Sequence, residues 1–462
     1  MPLHLRITFC LIVLSLAGCQ MLPRFDEVEQ AAQPRANARR VIDTNGSLMS
    51  EYRGAIDAGL STMQEDTFLT RHGKILETIN GGPAAPGHRS RILLDGPPAW
   101  EAMFTAMQSA RDHIHIESFI FEDLDFGTRL SELLIARQRA GVDVRIIYDS
   151  VGSLATPGAL FQHLREHGIA VCEFNPVNPL RARLSNPWRL NHRDHRKIVI
   201  VDGRVAYTGG INFHSVYRSG SAMQILKNMP TVEEGWRDTH VELRGTAVHE
   251  LQKLFLQTWQ KQSCGERPAR NFFPAPEKDG EHTVAIVGTS PDGMLSRMYL
   301  LLAAAIAYSR DSVWLTTAYF APDPNTIDAL KAAARRGVDV RLLLPGFTDS
   351  SLVLHAGRSH YDELLAAGVR IFERRDALLH AKTVVVDGVW STIGSSNLDW
   401  RSFCHNDEVN ALFLGSDFGS QMRRVFGNDL ALADEVKLDQ WRQRANSLRL
   451  REWLARQFDY YL

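Results

Sequence analysis

An internal repeat is the feature that most limits how this chain can fold. The residues from His195 to Asn212 follow the pattern H-x-K-x4-D-x6-G-G-x-N, and those from His380 to Asn397 follow H-x-K-x4-D-x6-G-S-x-N. A single match of this kind could be accidental. Two matches in register with a second, independent repeat indicate a duplicated structural unit.

The independent repeat precedes each motif. It comprises residues 113–119 and 140–147 in the first half, and residues 313–319 and 336–343 in the second. Each copy is an apolar strand, an amphipathic helix, a turn with glycine and another apolar strand, which is typical of a β-α-β unit with a parallel, two-sided buried sheet. We therefore predict an α/β fold with two similar halves related by a pseudo-two-fold axis, each a largely buried mixed β-sheet flanked by helices.

The length and composition fit such a doubled fold. The chain has 462 residues, of which 44% are hydrophobic and 23% charged, as in an ordinary soluble globular protein. The predicted segments are a lipoprotein-type signal peptide over 1–18, a tether and N-terminal segment over 19–75, the first half over 76–265, the second half over 280–430, and a C-terminal basic amphipathic helix over 431–462.

The N-terminus predicts export and a lipid anchor. An apolar stretch from Ile7 to Leu16 is shorter than the roughly 20 residues that a membrane-spanning helix needs, and it suits the core of a signal peptide. Residues 16–19, Leu-Ala-Gly-Cys, resemble the bacterial lipobox, which predicts lipidation of Cys19 and a position on an envelope membrane facing the periplasm. A plain secretory signal and an uncleaved anchor are the alternatives, and the outer and inner membranes both remain open.

Charge and cysteine content indicate which partners and cofactors this chain is not expected to bind. The net charge is −1 at pH 7, so no global basic field favours nucleic acid, and none is expected as a partner. The five cysteines form no C-x-x-C pair and have no zinc-type spacing with histidine, so a structural zinc site is not expected. No carboxylate cluster indicates another metal, and no cofactor is expected. An oxidising compartment would allow a disulfide between two of Cys172, Cys264 and Cys404.

Strand periodicity orders the residues within each motif. His195 and Lys197 are two residues apart on a strand and point to the same face. Asp202 follows Lys197 by an odd number of residues, and Asp-Gly is a strong hairpin signal. Asp202 and Asp387, although part of the motif, are therefore predicted at the strand end in a structural turn.

The residue types suit phosphodiester chemistry. Lysine and asparagine donors can stabilise the charge that grows on phosphorus oxygens, one imidazole can attack phosphorus, and another can transfer the proton. The glycines before Asn212 and Asn397 let the backbone approach a ligand closely and return these amides to the His/Lys face. Asp238 and Glu408 are the better candidates for orienting the imidazoles. The full candidate catalytic set is His195, Lys197, Asp202, Asn212, Asp238, His380, Lys382, Asp387, Asn397 and Glu408.

These motifs resemble the phospholipase D superfamily, whose hallmark is a duplicated His-Lys-Asp motif, and more narrowly the bacterial cardiolipin synthases. The resemblance spans about Ile92 to Phe426 and includes residues 117–121, 149–153, 209–212, 236–240, 316–320 and 394–403. It implies two phospholipase D-type halves, a phosphohistidine intermediate, and transfer of a phosphatidyl group onto phosphatidylglycerol or another alcohol.

The resemblance also implies roles and leaves rivals. His195 is the favoured nucleophile and His380 the favoured general acid and base. Typical relatives begin with two membrane-spanning helices or with the catalytic body, whereas this chain begins with a lipoprotein-like signal. A phospholipase D hydrolase, a nuclease or other phosphodiesterase with the same two-histidine site, and a non-catalytic lipid-binding module are the alternatives.

Two basic segments are candidate contacts with a bacterial membrane surface or lipid headgroups. The first precedes His195 and contains Arg181, Arg183, Arg189 and Arg193, and its alternative is a solvated loop. The second runs from Trp441 to Leu462, where arginines alternate with apolar residues. This terminal segment is expected either to lie on a membrane or to dock on its own domain.

Overall fold

A long mixed β-sheet passes through both halves of the molecule. The computed structural model describes residues 50–122, 125–177, 191–219, 221, 235–266, 270–277, 280–291 and 296–462. Its first part contains helices α1 (Ser50–Ser61), α2 (Phe68–Asn80), α3 (Gly96–Gln108), α4 (Asp125–Arg139), α5 (Gly158–Glu166) and α6 (Thr246–Lys261). The strands of this part are β1 (Ala85–Leu94), β2 (His113–Ser118), β3 (Asp143–Asp149), β4 (Ala170–Phe174), β5 (Arg193–Asp194), β6 (Lys197–Val201), β7 (Val205–Gly209) and β8 (Thr239–Arg244).

The second part repeats this succession of elements. Its helices are α7 (Arg297–Ala307), α8 (Pro324–Arg335), α9 (Ser351–Arg358), α10 (Tyr361–Ala366), α11 (Trp400–Cys404), α12 (Ser416–Leu430), α13 (Leu438–Arg442) and α14 (Asn446–Arg456). Its strands are β9 (His282–Thr289), β10 (Ser312–Thr316), β11 (Phe320–Ala321), β12 (Asp339–Pro345), β13 (Arg370–Arg374), β14 (Thr383–Val386), β15 (Trp390–Gly394), β16 (Leu398–Asp399), β17 (Asn406–Leu414) and β18 (Ala433–Val436).

The order of the strands confirms the predicted duplication. From the outer edge inwards the first half reads β4-β3-β2-β6-β7-β8-β1, and the second reads β13-β12-β10-β14-β15-β17-β9, with β18 added at its edge. In each half the three outer strands are parallel and the others antiparallel. Strands β1 and β9 pair antiparallel at the junction, as a pseudo-two-fold axis between the halves requires.

The strand–helix repeat has the same local cause in both halves. Gly141 and Gly337 follow α4 and α8 with φ of 90° each. This left-handed conformation carries no Cβ penalty for glycine, so it ends the helix and turns the chain into the next strand. The parallel strands that follow are buried, as the apolar runs predict.

The N-terminal boundary predicted from the sequence is wrong. Residues 19–75 were expected to form a tether and N-terminal segment before the first half, whereas α1 and α2 pack on the core of the second half through Ile56, Ile75 and Leu76. Position 75 also falls inside α2, which is capped by Thr67. Apolar residues at helical spacing make this segment part of the fold.

The prediction of a single helix over 431–462 is also wrong. The segment begins with β18, which pairs antiparallel with β13, and continues with α13 and α14. Arg442 of α13 donates to Asp362 at 2.9 and 3.1 Å, so α13 is attached to the second half. In the part of the chain that the structure describes, no helix is both long and apolar enough to cross a membrane.

A disulfide joins the edge strand of the first half to the segment after α6. Cys172 of β4 is bonded to Cys264, with Cα atoms 5.3 Å apart. Cys404 remains a free thiol whose pKa is raised to about 12 by burial. The sequence left open which pair would form.

Candidate active site

The two motif histidines stand at equivalent places in the two halves. His195 lies two residues before β6, and His380 lies three residues before β14. Both side chains are buried. The backbone N–H of His195 donates to the carbonyl of Asp407 at 2.9 Å, and the N–H of His380 donates to the carbonyl of Arg237 at 2.7 Å. Each histidine is thus held by a segment of the opposite half.

Side-chain contacts cross between the halves in the same way. Nδ1 of His195 lies 3.0 Å from a carboxylate oxygen of Glu408, and Nδ1 of His380 lies 2.7 Å from a carboxylate oxygen of Asp238. A carboxylate at Nδ1 selects the tautomer with its proton there, so Nε2 keeps a lone pair. The two halves therefore build one composite site, and the two carboxylates beside the histidines are the ones expected from the sequence.

The motif aspartates perform a different task at the far end of the strand. Asp202 and Asp387 occupy hairpin turns with φ of 55° and 51°, and a positive-φ glycine follows each. The Asp202 carboxylate accepts the backbone N–H groups of residues 111–113, and that of Asp387 accepts those of residues 310–312. Seven residues of extended chain place each aspartate about 20 Å from its histidine.

Asp387 also contacts a histidine of the N-terminal helices. Nε2 of His72, on α2, lies 2.9 Å from Oδ2 of Asp387, and both side chains are fully buried. Burial acts to raise the pKa of Asp387, but the hydrogen bonds from His72 and the backbone outweigh it and lower this pKa. The second hairpin turn thereby fixes the N-terminal helices to the second half.

The motif lysines are buried against their own histidines. Nζ of Lys197 donates to the carbonyl of His195 at 2.6 Å, and Nζ of Lys382 donates to the carbonyl of His380 at 2.5 Å. Burial lowers the pKa of Lys197 to about 7 and that of Lys382 to about 8, while the nearby carboxylates act to raise both. A bound anion would stabilise the charged form of each lysine.

Burial and the lysines also keep the imidazoles neutral. The pKa of His195 is lowered to about 4, mainly by burial, although the charge of Glu408 acts in the opposite direction. Burial, Lys382, Lys197 and His195 hold the pKa of His380 well below its usual range. At neutral pH both free imidazoles therefore offer an unprotonated Nε2, and an anion between them would favour protonation.

The two motif asparagines lie three residues after the ends of β7 and β15. Both side chains are buried, and Oδ1 of Asn212 accepts the N–H of Ile120 at 3.3 Å. Within the described ranges, Oδ1 of Asn397 is buried and has no hydrogen-bond partner. Each side-chain amide retains N–H donors that suit phosphate oxygens.

Three polar residues near the histidines were missed by the sequence reasoning. Ser395 donates its hydroxyl to Glu408, Nδ2 of Asn406 donates to Glu408 at 3.2 Å, and the hydroxyl of Tyr217 lies 2.9 Å from Nδ1 of His380. A sequence signal existed for Ser395 alone, because the second motif has Gly-Ser where the first has Gly-Gly. The site is therefore symmetric in its histidines but not in their surroundings.

The asymmetry extends to the carboxylates. A Cβ on Gly210, which takes the place of Ser395 in the first motif, would lie 2.1 Å from Oδ1 of Asp238. Burial raises the pKa of Asp238. Burial acts to raise the pKa of Glu408 as well, but His195, Lys197 and Ser395 outweigh it and lower this pKa. His195 accordingly has the more firmly ionised partner.

The basic segment before His195 lies partly outside the described residues. Arg181, Arg183 and Arg189, like the predicted lipid-anchor residue Cys19, lie outside the described residues. Arg193 is only 2% exposed; it donates to the carbonyl of Asn175 at 3.1 Å and lies 3.7 Å from Asp149. The predicted membrane-surface contact of Arg193 is therefore wrong, because β5 pairs with β17 and buries it.

No potential metal site, defined as a group of at least three His, Cys, Asp or Glu side chains, occurs among the residues described by the structure. The site is built from the imidazoles of His195 and His380, the carboxylates of Glu408 and Asp238 and the ammonium groups of Lys197 and Lys382.

Comparisons with known proteins agree with this architecture. A family model described as "Cardiolipin synthase, PLD-like domain" matches residues 103–234 and 302–430, one range in each half. Cardiolipin synthase 2 of Bacillus anthracis is 37% identical over 357 residues, which cover 77% of this chain and 67% of that protein. Cardiolipin synthase of Geobacillus kaustophilus (strain HTA426) is 35% identical over 382 residues, covering 82% and 73%.

A solved structure has the same fold. The phosphatidylserine synthase of Haemophilus influenzae Rd KW20 superposes with a TM-score of 0.61 at 12% sequence identity, covering 81% of this chain and 95% of that one. At this identity the similarity establishes the fold.

Proposed function

This chain belongs to the cardiolipin synthase family of phospholipase D-like phosphatidyltransferases, and on that premise we propose that it transfers a phosphatidyl group to phosphatidylglycerol through a phosphohistidine. The observation that carries the proposal is the crossed pairing of His195 with Glu408 and of His380 with Asp238. It places two imidazoles in one site with Nε2 available on both, which is what a two-step displacement at phosphorus requires.

In the first step Nε2 of His195 attacks the phosphorus of a phosphatidylglycerol donor. A P–N bond forms and the P–O bond to the terminal glycerol breaks. His380 gives its proton to the departing oxygen, so glycerol leaves as a neutral alcohol. The negative charge of the bound phosphodiester counters the lysines that keep His380 neutral in the free site, and so favours the protonated form needed here.

In the second step the hydroxyl of another phosphatidylglycerol attacks the phosphohistidine. Neutral His380 takes the proton of this hydroxyl, the new P–O bond forms, and the P–N bond breaks to release His195. The net reaction converts two molecules of phosphatidylglycerol into cardiolipin and glycerol. The proton that His380 gives in the first step is recovered in the second.

The difference between the two carboxylates supports His195 as the nucleophile. An ionised carboxylate at Nδ1 stabilises the positive charge that an imidazole acquires when its Nε2 attacks phosphorus. The pKa of Glu408 is lowered, whereas that of Asp238 is raised. His380, paired with Asp238 and Tyr217, then serves as the acid and base.

The lysines and asparagines supply the remaining stabilisation. Lys197 and Lys382 are held by the histidine carbonyls, and Asn212 and Asn397 follow the ends of β7 and β15 by three residues. Donors that are fixed before the reaction cost no reorganisation when charge grows on the five-coordinate phosphorus. Their burial strengthens each interaction because water does not screen it.

We also propose that the protein faces the periplasm of a bacterial envelope and is anchored by lipidated Cys19. The disulfide between Cys172 and Cys264 supports an oxidising compartment, since such bonds persist in the periplasm and are rare in the cytosol. The lipobox-like residues before Cys19 are the sequence basis for the anchor. Mass spectrometry of the protein extracted from membranes would detect the acylated Cys19, and an unmodified mature N-terminus would contradict the proposal.

The reaction is tested with purified protein and phosphatidylglycerol in detergent. Mass spectrometry should find cardiolipin together with glycerol, whereas phosphatidic acid without cardiolipin would identify water as the acceptor and refute transfer. Acid-labile, base-stable labelling by a donor with radioactive phosphorus should appear on the protein and disappear in His195→Ala. His163→Ala, on the exposed face of α5, is the matched control and should keep both label and turnover.

A further inference from the structure

Helix α14 is oriented with its apolar face away from the protein. Its buried residues are Glu452 and Ala455, each 3% exposed. On the other side Leu450 is 57%, Trp453 58% and Leu454 48% exposed. An amphipathic surface helix ordinarily buries its apolar stripe against the core, so this orientation calls for another partner.

The exposed residues form one continuous face. Leu450, Trp453 and Leu454 are spaced i, i+3 and i+4 and therefore lie on the same side of the helix. Arg449 and Arg451, which precede and follow Leu450, project about 100° to either side of it, and both are exposed. The only carboxylate of α14, Glu452, is on the buried side.

Ion pairs hold the helix in this orientation. Arg444 donates to the Glu452 carboxylate at 2.7 to 3.2 Å, so the buried glutamate is compensated. Nε2 of His360 lies 3.0 Å from Asp459, just beyond the helix, and Arg456 donates to Glu363 at 3.2 Å. The apolar side is thus outward because Glu452 is paired on the inner side and the C-terminal end of the helix is fixed to the body by polar contacts.

Helix α14, which carries this outward face, is linked to the active site through α9. Helix α14 packs along α9, on which Leu352 is 41% exposed. Asp349, two residues before α9, accepts the hydroxyl of Tyr319 at 2.8 Å. The ring of Tyr319 lies 6.3 Å from that of His380. A surface bound by α14 would therefore lie near the element that leads into the site.

We propose that the outer face of α14 is a docking surface for an anionic lipid bilayer. Leu450, Trp453 and Leu454 enter the headgroup region, and Arg449 and Arg451 contact lipid phosphates. Tryptophan and leucine flanked by arginines, with no carboxylate on the outer side, match the chemistry of such an interface. The role of this surface in presenting phospholipid to the site rests on the proposed function, whereas the binding itself does not.

Binding is measured with the full chain carrying Cys19→Ala, so that an acyl anchor cannot hold it on the membrane. The protein is sedimented with vesicles of equal parts phosphatidylglycerol and phosphatidylcholine. Leu450→Ser/Trp453→Ser/Leu454→Ser should weaken binding about tenfold or more. Leu154→Ser, which changes a 72% exposed residue of the first half, should bind like the parent protein. Equal binding by the triple variant and the parent would overturn the proposal.

Two further measurements separate this proposal from its alternatives. Arg449→Gln/Arg451→Gln should reduce binding to these vesicles at low salt, and equal binding would refute the role of the arginines. If the parent is a dimer without lipid and the triple variant a monomer, the face is occupied by a second copy and the lipid proposal fails. Because sedimentation needs no turnover, loss of the proposed transferase activity would not be mistaken for loss of docking.

Discussion

Replacing the motif aspartates separates a structural role from a chemical one. In Asp202→Ala the N–H groups of residues 111–113 lose the carboxylate that accepts them at 2.7 to 3.1 Å. Hydrogen bonds to a charged group contribute about 1.5–3 kcal/mol each, and water can replace the exposed ones. We therefore expect the free energy of unfolding to fall by about 2–4 kcal/mol.

The equivalent change in the second half should lower the free energy of unfolding further. Asp387→Ala removes the same kind of backbone contacts at residues 310–312 and also the buried partner of His72. Leaving a buried imidazole nitrogen without its partner adds about 1–3 kcal/mol. The second variant should thus be less stable than the first, and in a His72→Ala background the difference should shrink.

The assay combines urea unfolding with kinetics on the folded protein. Unfolding midpoints are followed by circular dichroism with the disulfide intact, and kcat/KM is measured in buffer without urea. Asp202→Ala and Asp387→Ala should retain kcat/KM within about tenfold once folded, because each aspartate lies at the far end of the strand from His195 or His380. Asp238→Asn and Glu408→Gln should lose about a hundredfold or more with small changes in midpoint.

The reverse pattern would refute the reasoning from strand periodicity. Unchanged midpoints with lost turnover in Asp202→Ala and Asp387→Ala would mean that these carboxylates act on the substrate. Normal turnover in Asp238→Asn and Glu408→Gln would mean that orientation of the imidazoles contributes little.

Three other results are expected. His195→Ala and His380→Ala should each abolish transfer, and near-normal activity of either variant would exclude a shared site. The kcat/KM for transfer should fall as pH rises through about 7 to 8, because Lys197 and then Lys382 lose the protons that stabilise phosphate charge. It should also fall below about pH 4, where His195 becomes protonated. A flat profile from pH 5 to 10 would contradict the pKa values of the lysines. Reduction of Cys172–Cys264, which closes a loop of 92 residues, should lower the free energy of unfolding by about 2–5 kcal/mol, and an unchanged urea midpoint in dithiothreitol would contradict this.

Much of the fold and the central residues of the site followed from the sequence alone. The duplicated motif predicted two similar halves, and the apolar runs predicted their buried sheets. The two-residue period of a strand placed Lys197 with His195 and moved Asp202 to the turn. These inferences succeeded because strand parity, Asp-Gly turns and glycine after helices are local properties that can be read along the chain.

Only the tertiary structure determined the contacts between segments that are distant in sequence. Glu408 is 213 residues from His195, so the sequence could propose an orienting carboxylate but not its crossed pairing. Contacts of the same long-range kind place Tyr217 beside His380, pack α1 and α2 on the second half, and bury Arg193. Local periodicity also predicted a single amphipathic helix at the C-terminus, but the partner for its apolar face depends on which polar contacts fix α14, and only the assembled fold determines those.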